Sequence, residues 1–245
     1  MTLFDPAIRP HIAAIYGLVR IADEIVDTYE GIDQQGLLTE LEDETYHAIK
    51  RGYSVNPIVH AFALTAAQFN IDKSLIHPFF VSMHMDITPQ IYDESLYKTY
   101  IIGSAEVVGL MCLKVFTHDD SLYASLEPGA RRLGAAYQKV NFLRDIKNDA
   151  EELNRWYFPI GSFATFDESI KQQLITDIEA DFEAALPAAK QLPKNAQAAV
   201  MLSIRYYSAL LEKLKATSAQ ELKRTRIRIP DSKKMRILLK AKVGL

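Results

Sequence analysis

Along most of the chain, apolar residues recur three and four positions apart, the spacing that lines one face of an α-helix. Strand-like alternation closed by hairpin turns is nearly absent. Pro10, suited to the first turn of a helix, opens one that runs to about residue 28. A second amphipathic helix covers 34–50 and closes at Gly52. Pro57 begins a third over 58–69, and Asp72 or Ser74 caps a fourth through residue 85. Further helices follow at about 93–116, 128–152, 167–191 and 194–216, with a short one expected over 233–240. The connections are short and no repeat of fixed period appears. The pattern predicts one all-α domain over residues 1–245 with a bundle-like or orthogonal core.

Composition narrows the function. Apolar residues make up 49% and charged residues 24% of 245, ordinary for a globular chain with a sizeable core. A net charge of −3 gives no electrostatic support to nucleic-acid binding. One local exception runs from Lys223 to Lys240, with eight Lys/Arg and a single acid, Asp231. That stretch reads either as a solvated helix face or as a surface for anionic lipid. The lone Cys112 sits in an apolar run and reads as a small buried hydrophobe, which excludes an internal disulfide framework. Asp5, Pro6 and Arg9 interrupt any secretory apolar core, and no uninterrupted apolar stretch reaches the ~18–20 residues of a membrane span. The expectation is a cytoplasmic protein, at most peripheral to the inner face of the membrane. No Gly-rich phosphate loop is present, so P-loop and dinucleotide-binding readings fail.

The chemistry lies on two helices that are apolar nearly all round. The first reads HIAAIYGLVRIADEIVDT over 11–28. Tyr16, Arg20, Asp23 and Asp27 fall at offsets of about 0, +4, +7 and +11, along one stripe. The second reads GAAYQKVNFLRDIKNDAEE over 134–152. Gln138, Asn141, Asp145 and Asp149 form a stripe there, while Val140, Phe142, Leu143 and Ile146 occupy the other faces. Like charges at i, i+4 destabilise a helix by roughly 0.2–0.5 kcal/mol, and more where water is scarce. A single such pair is more often a solvated face; two on apolar helices call for a compensating cation. Carboxylate oxygens suit Mg²⁺, which prefers a few carboxylates together with waters and substrate phosphates. Facing aspartate pairs that held Mg²⁺ would grip a diphosphate and favour its departure. Arg144 and Arg155 flank the second pair as bidentate phosphate partners. Small residues around Ala105 and Gly109 allow either a long apolar chain or close helix packing.

At these residues the sequence resembles the phytoene/squalene synthase family. Asp23-Glu-Ile-Val-Asp27 is similar to its first aspartate-rich motif and Gln138-x-x-Asn141-x-Leu-Arg144-Asp145-x-x-x-Asp149 to its second. Arg155-x-Tyr157-Phe-Pro159 follows at the family spacing. Tyr100…Ala105-x-x-Val108-Gly109 resembles the central helix, with Glu106 where a glycine is usual. Arg205-Tyr-Tyr207 and Arg226 match the residues at the diphosphate end. The resemblance implies an α-helical isoprenoid synthase fold around a central cavity. It implies Mg²⁺ on Asp23, Asp27, Asn141, Asp145 and Asp149. It assigns diphosphate contacts to Arg20, Gln138, Arg144, Arg155, Tyr157, Tyr207 and Arg226, with Tyr16 nearby.

The implied reaction joins two prenyl diphosphates head to head through a cyclopropylcarbinyl diphosphate, geranylgeranyl diphosphate giving phytoene. A C15-using squalene or dehydrosqualene type, or a weakly active prenyl-diphosphate-binding relative, is the alternative. The chain opens at Met1-Thr-Leu-Phe-Asp5, after the place where family members carry a further segment. Weak turnover with surviving Mg²⁺-dependent diphosphate binding is the expectation from that. Rival classes fit less well. A di-iron bundle needs two Glu-x-x-His motifs, and only Glu44-x-x-His47 is present. His118-Asp119 supplies the dipeptide of another phosphohydrolase class but sits in a polar connection. Terpene cyclases normally pair the first motif with an Asn/Ser/Glu one.

Overall fold

A computed structural model describes residues 2–27, 31–88, 90–232 and 234. Among them the regular elements are all helical, without a strand. The elements are α1 (Arg9–Asp27), α2 (Gln34–Arg51), α3 (Pro57–Gln68), α4 (Lys73–Ile87), α5 (Glu94–Ile101), a π turn (Ile102–Glu106), α6 (Val107–Thr117), α7 (Asp120–Glu151), α8 (Glu168–Lys190), α9 (Lys194–Ala216) and α10 (Ala219–Leu222). The helix expected over 233–240 lies, apart from Lys234, outside the described residues.

Side-chain caps set most of the starts. Asn56 accepts from the amides of Ile58 and Val59 at 3.0 and 3.4 Å, with Pro57 in the first turn. Asp72 accepts from Ser74 N, Asp93 from Leu96 N and Asp167 from Ile170 N, at 2.8, 2.8 and 2.9 Å. Gly52, at φ 77°, ends α2 in the left-handed conformation that glycine adopts without steric cost.

Two expectations change. α7 begins at Asp120 rather than at Pro128, because Asp119 caps it through Leu122 N at 2.6 Å. Pro128 and Ala124, whose carbonyl loses its amide partner, are both exposed, so water satisfies the break. The expected helix over 93–116 runs from 94 to 117 but carries the π turn in its middle. There Val107 N donates to Ile102 O, five residues back. Among the described residues, Glu94–Thr117 has the length and apolarity of a membrane span, yet half of it is buried inside the fold against α4 and α7.

Two apolar cores meet along α7. One packs α1, α2, α3, α4 and α6 around Phe62, Phe79 and Phe80; the other packs the C-terminal half of α7 with α8, α9 and the 156–166 loop. Close backbone approach fixes the crossing of the central helix. A Cβ on Gly103 would lie 2.1 Å from Pro78 O, and one on Gly134 would lie 2.7 Å from Ala105 O.

Candidate functional site

α1 and α7 present their polar stripes to one cleft of about 340 Å³, roofed by α4 and the π turn. Asp23, Asp27, Gln138, Asn141, Arg144, Asp145, Asp149, Arg155, Tyr157 and Arg226 all line it. These residues come from parts of the chain up to 203 positions apart (226 − 23), so only the tertiary fold assembles them.

The cleft holds an unequal set of charges. Arg155, 8% exposed, donates from Nη1 to Asp27 Oδ1 at 2.6 Å and from Nη2 to the carbonyls of Val26 and Asp86 at 3.0 and 2.8 Å. Arg144 forks onto Asp145, its Nε to Oδ1 at 2.9 Å and its Nη2 to Oδ2 at 2.5 Å. Arg226 reaches the same carboxylate from the segment after α10, Nε to Oδ1 at 2.6 Å. Among the described residues, Asp23 and Asp149 have no ion-pair partner. Burial, and next the charge of Asp145, pushes the Asp149 carboxyl up to about 8. Burial, and next Asp27, pushes Asp23 up to about 6. Both carboxylates without an ion pair are thus groups whose ionised form the fold resists.

Asp86 is a member that the sequence reading missed. It projects from the end of α4, 4% exposed, and accepts from Tyr100 OH at 2.7 Å and Tyr157 OH at 2.8 Å. Burial raises its carboxyl to about 6 against the lowering effect of Arg155. Tyr157 stacks on Phe142 at 4.2 Å, forming a wall of the cleft. The one signal for Asp86 was a lone acid closing the segment 79–85, which is apolar apart from Ser82 and His84.

The other expected residues are less central. Tyr207 donates to Asn141 Oδ1 at 3.4 Å and stacks on Tyr137, one layer behind the cleft. Arg20 pairs with Glu24 one turn before Asp23, on an exposed flank, and Tyr16 is 65% exposed beyond it.

A second cavity, of about 320 Å³ and almost wholly apolar, lies between α6 and α7. Ser104 and Gln138 line both cavities, which therefore lie side by side at these residues. Phe116 and Leu126 mark the other end. Twelve residues separate the ends on each helix, about 18 Å at a rise of 1.5 Å per residue. The ambiguity over small residues in the central helix resolves by position. Gly103 serves packing, whereas Ala105 and Gly109 line the apolar cavity. Glu106 faces away from it and pairs with Arg131 at 3.3 Å.

The donors fit a hard cation. Four aspartates and the Asn141 amide oxygen offer hard oxygen ligands, and two half-buried carboxylates have no ion-pair partner among the described residues. Among the described residues no three acidic, histidine or cysteine side chains converge into a preassembled cage. The oxygen donors are of the kind Mg²⁺ takes, an ion that ordinarily binds one or two carboxylates and completes its shell with water and phosphate oxygens.

Comparison with known proteins places this arrangement. The model of the squalene/phytoene synthase family matches residues 1–233. A presqualene diphosphate synthase of Zymomonas mobilis is 32% identical over 163 residues, 65% of this chain and 54% of that protein. Phytoene synthase 3 of Zea mays is 28% identical over 261 aligned positions, 98% of this chain and 60% of that protein. The chain therefore spans a little over half the length of these curated relatives. A dehydrosqualene synthase crystal structure superposes with a TM-score of 0.80 at 17% identity, covering 99% of this chain and 89% of the other. The squalene synthase HpnC of Alicyclobacillus acidocaldarius gives 0.73 at 21%, covering 85% and 83%. At those identities the likeness is one of fold, the all-α isoprenoid synthase fold.

Proposed function

The chain belongs to the squalene/phytoene synthase family, and from that premise we propose that it is a Mg²⁺-dependent prenyltransferase joining two prenyl diphosphates head to head. The observation that carries this reading is that the two cavities adjoin. An acid- and arginine-lined cleft and an apolar space about 18 Å long share Ser104 and Gln138 as lining residues. A prenyl diphosphate has the same division, an anionic head on a long apolar chain.

Asp23, Asp27, Asn141, Asp145 and Asp149 are the residues that would hold Mg²⁺. When bound, the ion supplies Lewis-acid neutralisation of a departing diphosphate. Arg144, Arg155 and Arg226 bind phosphate oxygens by exchanging their present carboxylate partners for the incoming anion. Arg20 and Tyr207 extend that anionic grip at the rim, while Gln138 orients the head where the cleft narrows. The apolar wall along α6 and α7 excludes water from the carbocation formed when the C1–O bond breaks. In the reaction, that cation is captured by the double bond of the second substrate. Proton loss then closes a cyclopropylcarbinyl diphosphate, and its own ionisation leads on to a conjugated triene. Geranylgeranyl diphosphate and phytoene are the substrate and product that the family motifs favour.

The test is incubation with C15 and C20 prenyl diphosphates and Mg²⁺, with mass spectrometry of the lipid extract and assay of released diphosphate. The expected result is a C30 or C40 product that disappears on chelation. No product and no diphosphate release with either chain length would refute the reading.

A further inference from the structure

Ser104 lies within the π turn and lines the cleft and the apolar cavity alike. Its hydroxyl oxygen is inaccessible to solvent and has no hydrogen-bond partner among the described residues. Other buried or helical hydroxyls behave differently. Thr45, Ser82, Thr99 and Thr117 each donate to the carbonyl three or four residues back, at 2.7–3.0 Å. That back-bond is the ordinary resting place of a hydroxyl in a helix. The π turn shifts the local register to five residues, as Val107 N to Ile102 O shows, and displaces the carbonyls on which Ser104 would otherwise rest. A buried polar group left unmade costs free energy and ordinarily has a compensating role. No hydrogen bond among the described residues pins this hydroxyl, so rotation about χ1 can re-aim it among staggered positions.

We infer that Ser104 is a substrate-contact residue whose hydroxyl donates a hydrogen bond to the ester oxygen linking C1 of a prenyl diphosphate to phosphorus. This rests on the prenyl-diphosphate reading of the two cavities. With the anionic head among the arginines and carboxylates and the chain along α6, the residue at the junction meets the atom that joins head to chain. On ionisation the C1–O bond breaks heterolytically and its electron pair stays on that oxygen, within the leaving diphosphate. The serine keeps its proton; the hydrogen bond strengthens as charge develops on the oxygen it touches. Gln138, at the same junction, approaches from α7, so the ester linkage passes between two polar side chains set in otherwise apolar walls.

The experiment compares wild type, Ser104→Ala and Ser104→Thr by the rate of Mg²⁺-dependent diphosphate release from farnesyl and geranylgeranyl diphosphate. S104A is expected to lower kcat about tenfold, the loss of one hydrogen bond to a charged oxygen, with KM changed less than kcat. S104T, which keeps the hydroxyl, is expected to recover most of that loss. Melting temperatures of the three proteins keep a folding effect apart from a chemical one. Equal kcat in wild type and S104A, both folded, would overturn the assignment and leave Ser104 as a wall residue. If wild type releases no diphosphate, the activity reading fails, and the same proteins are titrated calorimetrically with farnesyl diphosphate and with inorganic diphosphate. The assignment then requires weaker binding of the prenyl ligand alone by S104A; equal affinities would sink it as well.

Discussion

Helix α7 carries a charged cavity on each of two faces, and the two are built to opposite ends. On the face toward α8, Lys98, Arg131, Arg132 and Lys139 meet Glu94, Glu106, Asp177 and Asp181, four against four. Lys139, 8% exposed, donates to Asp177 and Asp181 at 2.5 and 2.6 Å, and Arg132 donates to the other oxygen of Asp181 at 2.9 Å. On the face toward α1, five aspartates (23, 27, 86, 145 and 149) meet three arginines (144, 155 and 226), a surplus of two acids. The first cluster is closed within the protein. The second is left with a surplus of acid, which the proposed cation would offset. Charge count thus separates a self-paired network from one left with a surplus.

The comparison breaks most sharply at Asp149. Asp149→Ala is expected to lower diphosphate release about 10³-fold, the several kcal/mol that metal-ion stabilisation of a leaving group supplies. Its melting temperature should hold or rise, because a surplus charge is removed; a normal rate would show that the cleft is not the site. Asp181→Ala should do the reverse. Lys139 loses its buried partner, and denaturant unfolding should report a loss of about 3–5 kcal/mol. The paired change Lys139→Met with Asp181→Leu should restore most of that stability, as apolar replacement of a closed pair commonly does.

The pH dependence sharpens the contrast. Asp149 and Asp23 have folded-state values, about 8 and about 6, above their unfolded one. The folded state therefore binds the extra protons, and stability without divalent cations should fall as pH rises from about 4 to about 8. The fall is expected to be on the order of 1–2 kcal/mol once screening is allowed for. Asp149→Asn should flatten its upper part, and Mg²⁺ should raise the melting temperature more at pH 8 than at pH 5.5. Thermal scans in chelator and in Mg²⁺ check both. The smallest effect belongs to Tyr157→Phe, which removes one of the two tyrosine hydroxyls that donate to Asp86 and should cost about 1 kcal/mol in chemical denaturation.

Much of this was legible in the sequence because it is periodic. The stripes of α1 and α7 repeat every three or four residues, and the helices carrying them are apolar on their other faces. Asp86 was not legible, since its partners Tyr100, Arg155 and Tyr157 lie 14 to 71 positions away and no period connects them. The π turn was hidden for another reason: one extra residue in the apolar run from Ile101 to Phe116 changes no hydrophobic count. Asp119 was read as part of a solvent loop because Pro128 offered a stronger local start signal. His118 did take the left-handed conformation of a connection, with its ring 4.8 Å from that of Phe69.

The glycine crossings give the apolar cavity a fixed end and an adjustable one. Near its mouth, Gly134 seats α7 directly on the Ala105 backbone, so the bore there is set by main chain and no side-chain exchange can widen it. At the far end the boundary is the side chains of Phe116 and Leu126, which can be shortened singly. On the proposed reading, shortening Phe116 or Leu126 lengthens the space open to a guest, while the main chain at Gly134 and Ala105 holds the mouth where it is.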